Sequence, residues 1–166
     1  MNIANKNVRT PLNAAALNGH VEIFLILLDH GARVNNAKDE RCKPLYRATS
    51  NGHVTAVLEL LNHDASLNTT NKENFTPLYS ASWSRHVEVV RELLNHGAKV
   101  SISKGSGWKL LNAATKRGNL EVIRELLKHA RYINITKLCV WRRIKAAAKK
   151  GDMNHIRELL NHISSK

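Results

Sequence analysis

Cysteine, proline and acidic residues are scarce in this 166-residue chain, and each scarcity narrows what the protein can be. Two cysteines cannot build the disulfide framework on which small secreted scaffolds depend. No stretch is apolar over the roughly 20 residues that a membrane-spanning helix needs, and no secretory leader pattern is present. We therefore expect a protein that contacts no membrane.

The shortage of acidic residues leaves the chain strongly basic. There are 13 Asp and Glu against 26 Lys and Arg, for a net charge of +13. The excess is uneven, because residues 1–100 hold 11 basic and 9 acidic residues, whereas residues 101–166 hold 15 and 4. A field of this kind attracts anionic partners in a salt-dependent way.

What the chain does contain is one pattern, repeated every 33 residues without an insertion. The first marker is the tripeptide at Thr10-Pro11-Leu12, Lys43-Pro44-Leu45, Thr76-Pro77-Leu78, Lys109-Leu110-Leu111 and Arg142-Arg143-Ile144. The second is the leucine pair at Leu27-Leu28, Leu60-Leu61, Leu93-Leu94, Leu126-Leu127 and Leu159-Leu160. We expect one domain of five repeats, at about 1–37, 38–70, 71–103, 104–136 and 137–166.

Each repeat predicts two short helices joined by a turn. The three prolines, Pro11, Pro44 and Pro77, would open first helices, with Thr10 and Thr76 as N-caps. Gly31 and Gly97 would end second helices in a left-handed conformation. Helices of about 8 to 10 residues are unstable alone in water, so their stability must come from stacking.

The chain resembles ankyrin repeats over essentially its whole length. The match is clearest in repeat three, at Thr76-Pro77-Leu78, Ala81, His86, Val90, Leu93-Leu94 and Gly97-Ala98. The resemblance implies an all-α repeat fold, a solenoid of stacked antiparallel helix pairs with β-hairpin-like tips along one edge. It also implies a protein-binding module without catalytic activity.

Some positions depart from this pattern. Arg85 replaces the glycine between the helices of repeat three, which costs about 1 kcal/mol if that residue has a positive φ. Repeats four and five lose the proline, as Leu110 and Arg143. Cys42 and Cys139 are predicted in tips three repeats apart, too distant for a disulfide. We therefore expect a reducing, intracellular location, cytoplasmic or nuclear.

Catalytic and metal sites are not expected. No phosphate-binding glycine loop, nucleophile elbow, metalloprotease helix or Cys-x-x-Cys cluster is present. The histidines recur about once per repeat at each register, so they cannot converge on one ion, and those near second-helix ends should bond the last carbonyls. The acidic pairs Glu88/Glu92 and Glu121/Glu125 are predicted on solvent faces. We expect neither an enzyme nor a cofactor.

The positions that ankyrin repeats use for binding become aromatic and cationic in the last three repeats. The predicted partner-binding residues are Phe75, Tyr79, Trp83, Trp108, Lys116, Arg117, Trp141, Lys149 and Lys150. Phe75, Trp108 and Trp141 are predicted at tips. Aromatic residues and arginine are common interface anchors. The tip tryptophans could instead pack on neighbouring tips.

Three functions follow from these positions. The first is recognition of a protein through an acidic surface or segment, at the concave face and the tips. The second is binding of nucleic acid or a phosphorylated ligand by the same cations and aromatics. The third is self-association through repeat one, where an apolar second helix is predicted to turn Phe24 and Ile26 outward.

Overall fold

The computed structural model describes residues 10–35, 43–71, 75–100, 106–129 and 138–164. These residues form ten α-helices and no strand. In chain order, α1 to α10, the helices span Pro11–Asn18, Val21–Asp29, Pro44–Asn51, Val54–Asn62, Pro77–Ser84, Val87–Asn95, Ser106–Lys116, Leu120–His129, Leu138–Lys150 and Met153–Ser164. The predicted all-α architecture of successive helix pairs is confirmed.

The helices divide into two compact units. The first, Met1–Ala98, contains α1 to α6, and the second, Lys99–Lys166, contains α7 to α10. Among the helices of the described residues, none combines the length and the apolar character needed to cross a bilayer.

The first unit is built by stacking like helices on like. The first helices α1, α3 and α5 pack in succession, and so do the second helices α2, α4 and α6. Residues one repeat apart fill equivalent core positions. The first helices contribute Leu12, Leu45 and Leu78, and the second helices contribute Phe24, Val57 and Val90. All six are nearly or fully buried. The 33-residue period therefore becomes a continuous core.

The predicted helix ends in this unit are confirmed. Thr10 Oγ1 accepts a hydrogen bond from the backbone N–H of Asn13, and Thr76 Oγ1 accepts one from Tyr79, at 3.3 and 3.1 Å. Gly31 and Gly97 have φ values of 78° and 89°.

The residue in the same register of repeat two is Asp64, with a φ of 57°. Aspartate tolerates the left-handed region better than most residues, so this helix also ends in the left-handed conformation without a glycine.

A histidine of one repeat binds the end of the preceding first helix. His53 Nε2 lies 2.9 Å from the carbonyl oxygen of Leu17, and His86 Nε2 lies 3.2 Å from that of Ser50. Because a carbonyl only accepts, Nε2 carries the donated proton in this arrangement. We call this contact the histidine bridge.

The histidine bridge needs a glycine beneath the imidazole ring. A Cβ atom added to Gly19 would lie 2.5 Å from His53 Nδ1, and one added to Gly52 would lie 2.6 Å from His86 Nδ1. Both glycines also have positive φ, at 69° and 77°. The Gly-His dipeptide thus works across repeats, because the glycine of one makes room for the histidine of the next.

A second set of histidines ends the second helices, as predicted. His30, His96 and His129 use Nδ1 to bond the carbonyl four residues earlier, at 2.8 to 3.0 Å. In His30 and His96 the backbone N–H of the same residue also donates to that carbonyl, so the ring adds a second hydrogen bond at the helix end.

The second unit packs its helices differently. Besides the pairs α7–α8 and α9–α10, its main contacts join α8 to α9 and α7 to α10. Arg124 on α8 donates from Nε to the carbonyl of Ala148 on α9, at 3.1 Å. At the register of the bridging histidines stand Asn119 and Asp152, whose side chains instead cap α8 and α10.

Three of the four helices of the second unit exceed the predicted length. α7, α9 and α10 contain 11, 13 and 12 residues, against the predicted eight to ten. Proline biases the residue before it away from the α conformation, and Leu110 and Arg143 lift that restriction. The first helices therefore extend further toward the N-terminus.

The prediction that Glu125 faces solvent is wrong. Glu125 is only 4% exposed, and its carboxylate forms an ion pair with Lys128 Nζ at 2.9 Å. Glu121, in contrast, is exposed as predicted. α8 places Glu125 in the buried part of the unit, and the ion pair offsets the cost of removing its charge from water.

The tips are described only in part. Most of the repeat-two tip, including Cys42, lies outside the described residues, and Cys139, predicted in a tip, lies in α9. In repeat three the turn is closed by Asn71. Its N–H donates to the carbonyl of Phe75 at 3.0 Å, and its Oδ1 accepts from the Phe75 N–H at 2.9 Å.

The histidine bridge makes a stability prediction that two glycines can separate. Gly19→Ala should lower the free energy of unfolding more than Gly31→Ala, measured by urea denaturation and circular dichroism. Both changes force alanine to a positive φ, at about 1 kcal/mol, but Gly31 has no atom within 4 Å of the added Cβ. Only Gly19→Ala collides with His53.

The double variant Gly19→Ala/His53→Ala supplies the control, since it removes the ring that causes the collision. It should recover part of the loss caused by Gly19→Ala alone. His20→Ala, at the same register in repeat one with an exposed side chain, should change stability little. Equal losses for Gly19→Ala and Gly31→Ala would contradict the bridge.

Candidate partner-binding surface

Three aromatic rings stack in a row that begins just before α5 and continues along the surface of this helix. Phe75 and Tyr79 have ring centroids 4.1 Å apart and nearly parallel planes, and Tyr79 and Trp83 follow at 6.4 Å. The three residues are four apart, the spacing that places side chains above one another on a helix. We call Phe75, Tyr79 and Trp83 the aromatic stack.

The aromatic stack runs from a half-buried end to an exposed one. Phe75 and Tyr79 are half-buried, whereas Trp83 is 38% exposed, among the most exposed large apolar side chains of the described residues. Mutual stacking restricts the rotamers of these side chains, which reduces the side-chain entropy that binding would remove.

Burial raises the pKa of Tyr79, and the nearby Tyr46 phenol adds to the effect. Both influences disfavour the phenolate, so the Tyr79 hydroxyl keeps its proton and its capacity to donate a hydrogen bond. Tyr46 is the equivalent of Tyr79 one repeat earlier. The sequence analysis did not include Tyr46 among the residues of the candidate surface, although Tyr46 lies 33 residues before Tyr79 and so occupies the same position in its repeat.

Trp108 and Trp141 are not in tips, so that prediction is wrong. α7 begins at Ser106 and α9 at Leu138, which places both tryptophans inside helices. The cause is the missing proline described above. Their indole side chains lie outside the described residues, and their role in binding stays a prediction.

The four predicted cations are exposed at the ends of two helices of the second unit. Lys116 and Arg117 stand at the end of α7, and Lys149 and Lys150 close α9. Cations at these positions interact favourably with the negative end of the helix dipole. The main contacts of α7 and of α9 are with α8 and α10 rather than with each other. The alignment of these two pairs of cations along one groove therefore stays a prediction.

The apolar face of α2 differs from the prediction in one residue. Ile23 and Ile26 are 53% and 57% exposed, but Phe24 is fully buried, so its predicted outward direction is wrong. The counterparts of Ile23 in the next two repeats, Ala56 and Val89, are buried, and their helices each pack on a preceding second helix. α2 thus exposes a face that stacking covers elsewhere.

An open depression of about 470 Å³, which no sequence pattern predicts, lies at the ends of α2 and α4. Its lining residues are Leu28, Ala32, Arg33, Val34, Asn35 and His63. Asn35 spans its edge, since Nδ2 donates to the Asp64 carbonyl and Oδ1 accepts from the Ser66 N–H. Within the described residues, no group of His, Cys, Asp or Glu is placed to hold a metal ion.

Comparison with known proteins agrees with the geometry. A family model described as ankyrin repeats, in three copies, matches residues 1–71, 35–104 and 59–137. No individual curated protein matched the chain. The matched ranges leave out most of the fifth predicted repeat, so a count of five stays a prediction, although α9 and α10 pair there. Since the matches cover most of its length, the chain belongs to the ankyrin-repeat family.

Proposed function

We propose that the chain is a non-catalytic module that binds an acidic segment of a partner protein through its concave face and tips. Ankyrin repeats generally mediate protein–protein interactions. The observation that carries the proposal is the aromatic stack, because rigid, partly exposed aromatic side chains are frequent anchors of protein interfaces.

In this proposal Trp83 is the main apolar anchor of the first unit. Trp83 is the exposed end of the aromatic stack. The Tyr79 ring stacks on one face of its indole, with an angle of only 13° between the two ring planes. A partner side chain that packs on the indole covers apolar area already held in place.

The cations of the second unit supply the preference for acidic partners. Lys116, Arg117, Lys149 and Lys150 are exposed, and residues 101–166 carry nearly four times as many basic as acidic residues. Charges of this kind speed association and suppress basic partners more than they add affinity. Trp108 and Trp141 remain in the proposed surface, and the scarcity of cysteine supports an intracellular location.

The proposal predicts a hierarchy of losses against short synthetic peptides that combine glutamates with one large apolar residue. Trp83→Ala should weaken binding about tenfold or more, as expected for an anchor. Lys116→Ala/Arg117→Ala should slow association and reduce its salt dependence. Fluorescence anisotropy and stopped-flow mixing measure both quantities.

Arg157→Ala is the control for a cation outside the proposed surface, because Arg157 is exposed on the second helix α10. It should leave the affinity close to that of the parent chain. Short single-stranded RNA is the competing ligand. Tight RNA binding with a steep salt slope, lost when the four cations are replaced, would overturn the choice of an acidic protein.

A second candidate function, self-association, is favoured by the uncovered face of α2. Ile23 and Ile26 occupy positions that would suit packing against another apolar helix, and a second copy of the chain presents one. The patch is small against the roughly 800 Å² that each partner buries in a standard interface. We therefore expect a weak dimer whose population depends on concentration.

Light scattering over a concentration series tests this second function. Ile23→Lys/Ile26→Lys should keep the fold, because both side chains are exposed, and should lower the average mass to that of a monomer. Thr55→Lys, an exposed change on α4, should leave the mass unchanged. A parent chain that stays monomeric at every concentration rules self-association out.

A further inference from the structure

Arg85 stands at a position that every other repeat gives to glycine. Its counterparts between first and second helix are Gly19, Gly52, Gly118 and Gly151, all with positive φ. Arg85 adopts the same conformation, with φ 67° and ψ 24°, and ends α5 by donating its N–H to the carbonyl of Ala81. An arginine there costs free energy that glycine would not.

The Arg85 side chain is exposed, and among the described residues its guanidinium makes no hydrogen bond or ion pair that would offset this cost. Arg91 on α6 differs from Arg85, because its guanidinium forms an ion pair with the Glu88 carboxylate at 2.6 Å. Residues in strained backbone conformations cluster at functional sites, so Arg85 is a candidate for a functional contact.

The position of Arg85 indicates what that contact is. Arg85 follows the exposed Trp83 by two residues, so both residues belong to the C-terminal end of α5. Arginine presents a planar set of donors that matches a carboxylate in two parallel hydrogen bonds. Tryptophan and arginine are also the residue types most enriched at the energetic centres of interfaces.

We propose that Arg85 is a specificity-determining residue, whose guanidinium binds a carboxylate of the partner segment that packs on Trp83. This inference rests on the proposed function and adds a residue and a direction to it. The partner segment carries an acidic side chain next to the apolar residue that covers the indole. The first unit then reads a specific acidic position, independently of the general field of the second unit.

The test separates binding from stability at one position. Arg85→Gly removes both the guanidinium and the strain, so its melting temperature should rise while its affinity for the glutamate-containing peptide falls about tenfold. Arg85→Ala removes the guanidinium but keeps the positive φ, so it should lose the same affinity without the thermal gain. Arg85→Lys keeps the charge without the planar donors and should bind at an intermediate level.

A peptide with glutamine in place of its glutamates completes a double-mutant cycle. The parent chain should lose affinity for it, and Arg85→Gly should lose clearly less, because only the contribution of the other cations remains. If Arg85→Gly binds the glutamate peptide as tightly as the parent while Trp83→Ala does not, the role of Arg85 is refuted and the proposed function survives. If the parent binds no acidic peptide, both fail.

Discussion

Stacking between neighbouring repeats is the constraint on which the first unit depends. Its helices contain eight or nine residues, too few to persist in water alone, so each must bury its apolar side against the next. The histidine bridge sets the spacing of that stack, because the imidazole ring of one repeat occupies the volume that glycine leaves empty in the repeat before. The Gly-His dipeptide therefore has three roles: its glycine forms the turn between two helices and allows the next repeat to come close, and its histidine donates a hydrogen bond to the repeat before.

Proline links this frame to the surface where binding is proposed. Pro77 starts α5 and leaves Phe75 just outside the helix, where its ring stacks on Tyr79. Without proline, α7 and α9 begin further toward the N-terminus and draw Trp108 and Trp141 into helices. Aromatic residues at equivalent sequence positions thus differ in their backbone: Phe75 lies just outside a helix, whereas Trp108 and Trp141 lie within one.

The features on which the proposed recognition depends lie on the surface of the described residues. The aromatic stack is partly exposed, Arg85 has a strained positive φ, and α2 exposes isoleucines. Each costs the isolated chain some stability or solubility. Costs of this kind are often retained where a binding partner makes use of them.

The sequence by itself determined the repeat, the family, the capping threonines and the left-handed helix ends, because these depend on a few residues close together in the chain. Only the tertiary structure decided that Phe24 points inward, that Glu125 is buried beside Lys128, and that α8 and α9 are joined through Arg124. Burial depends on which helices become neighbours. That choice is made by packing across the whole unit, which a local pattern does not contain.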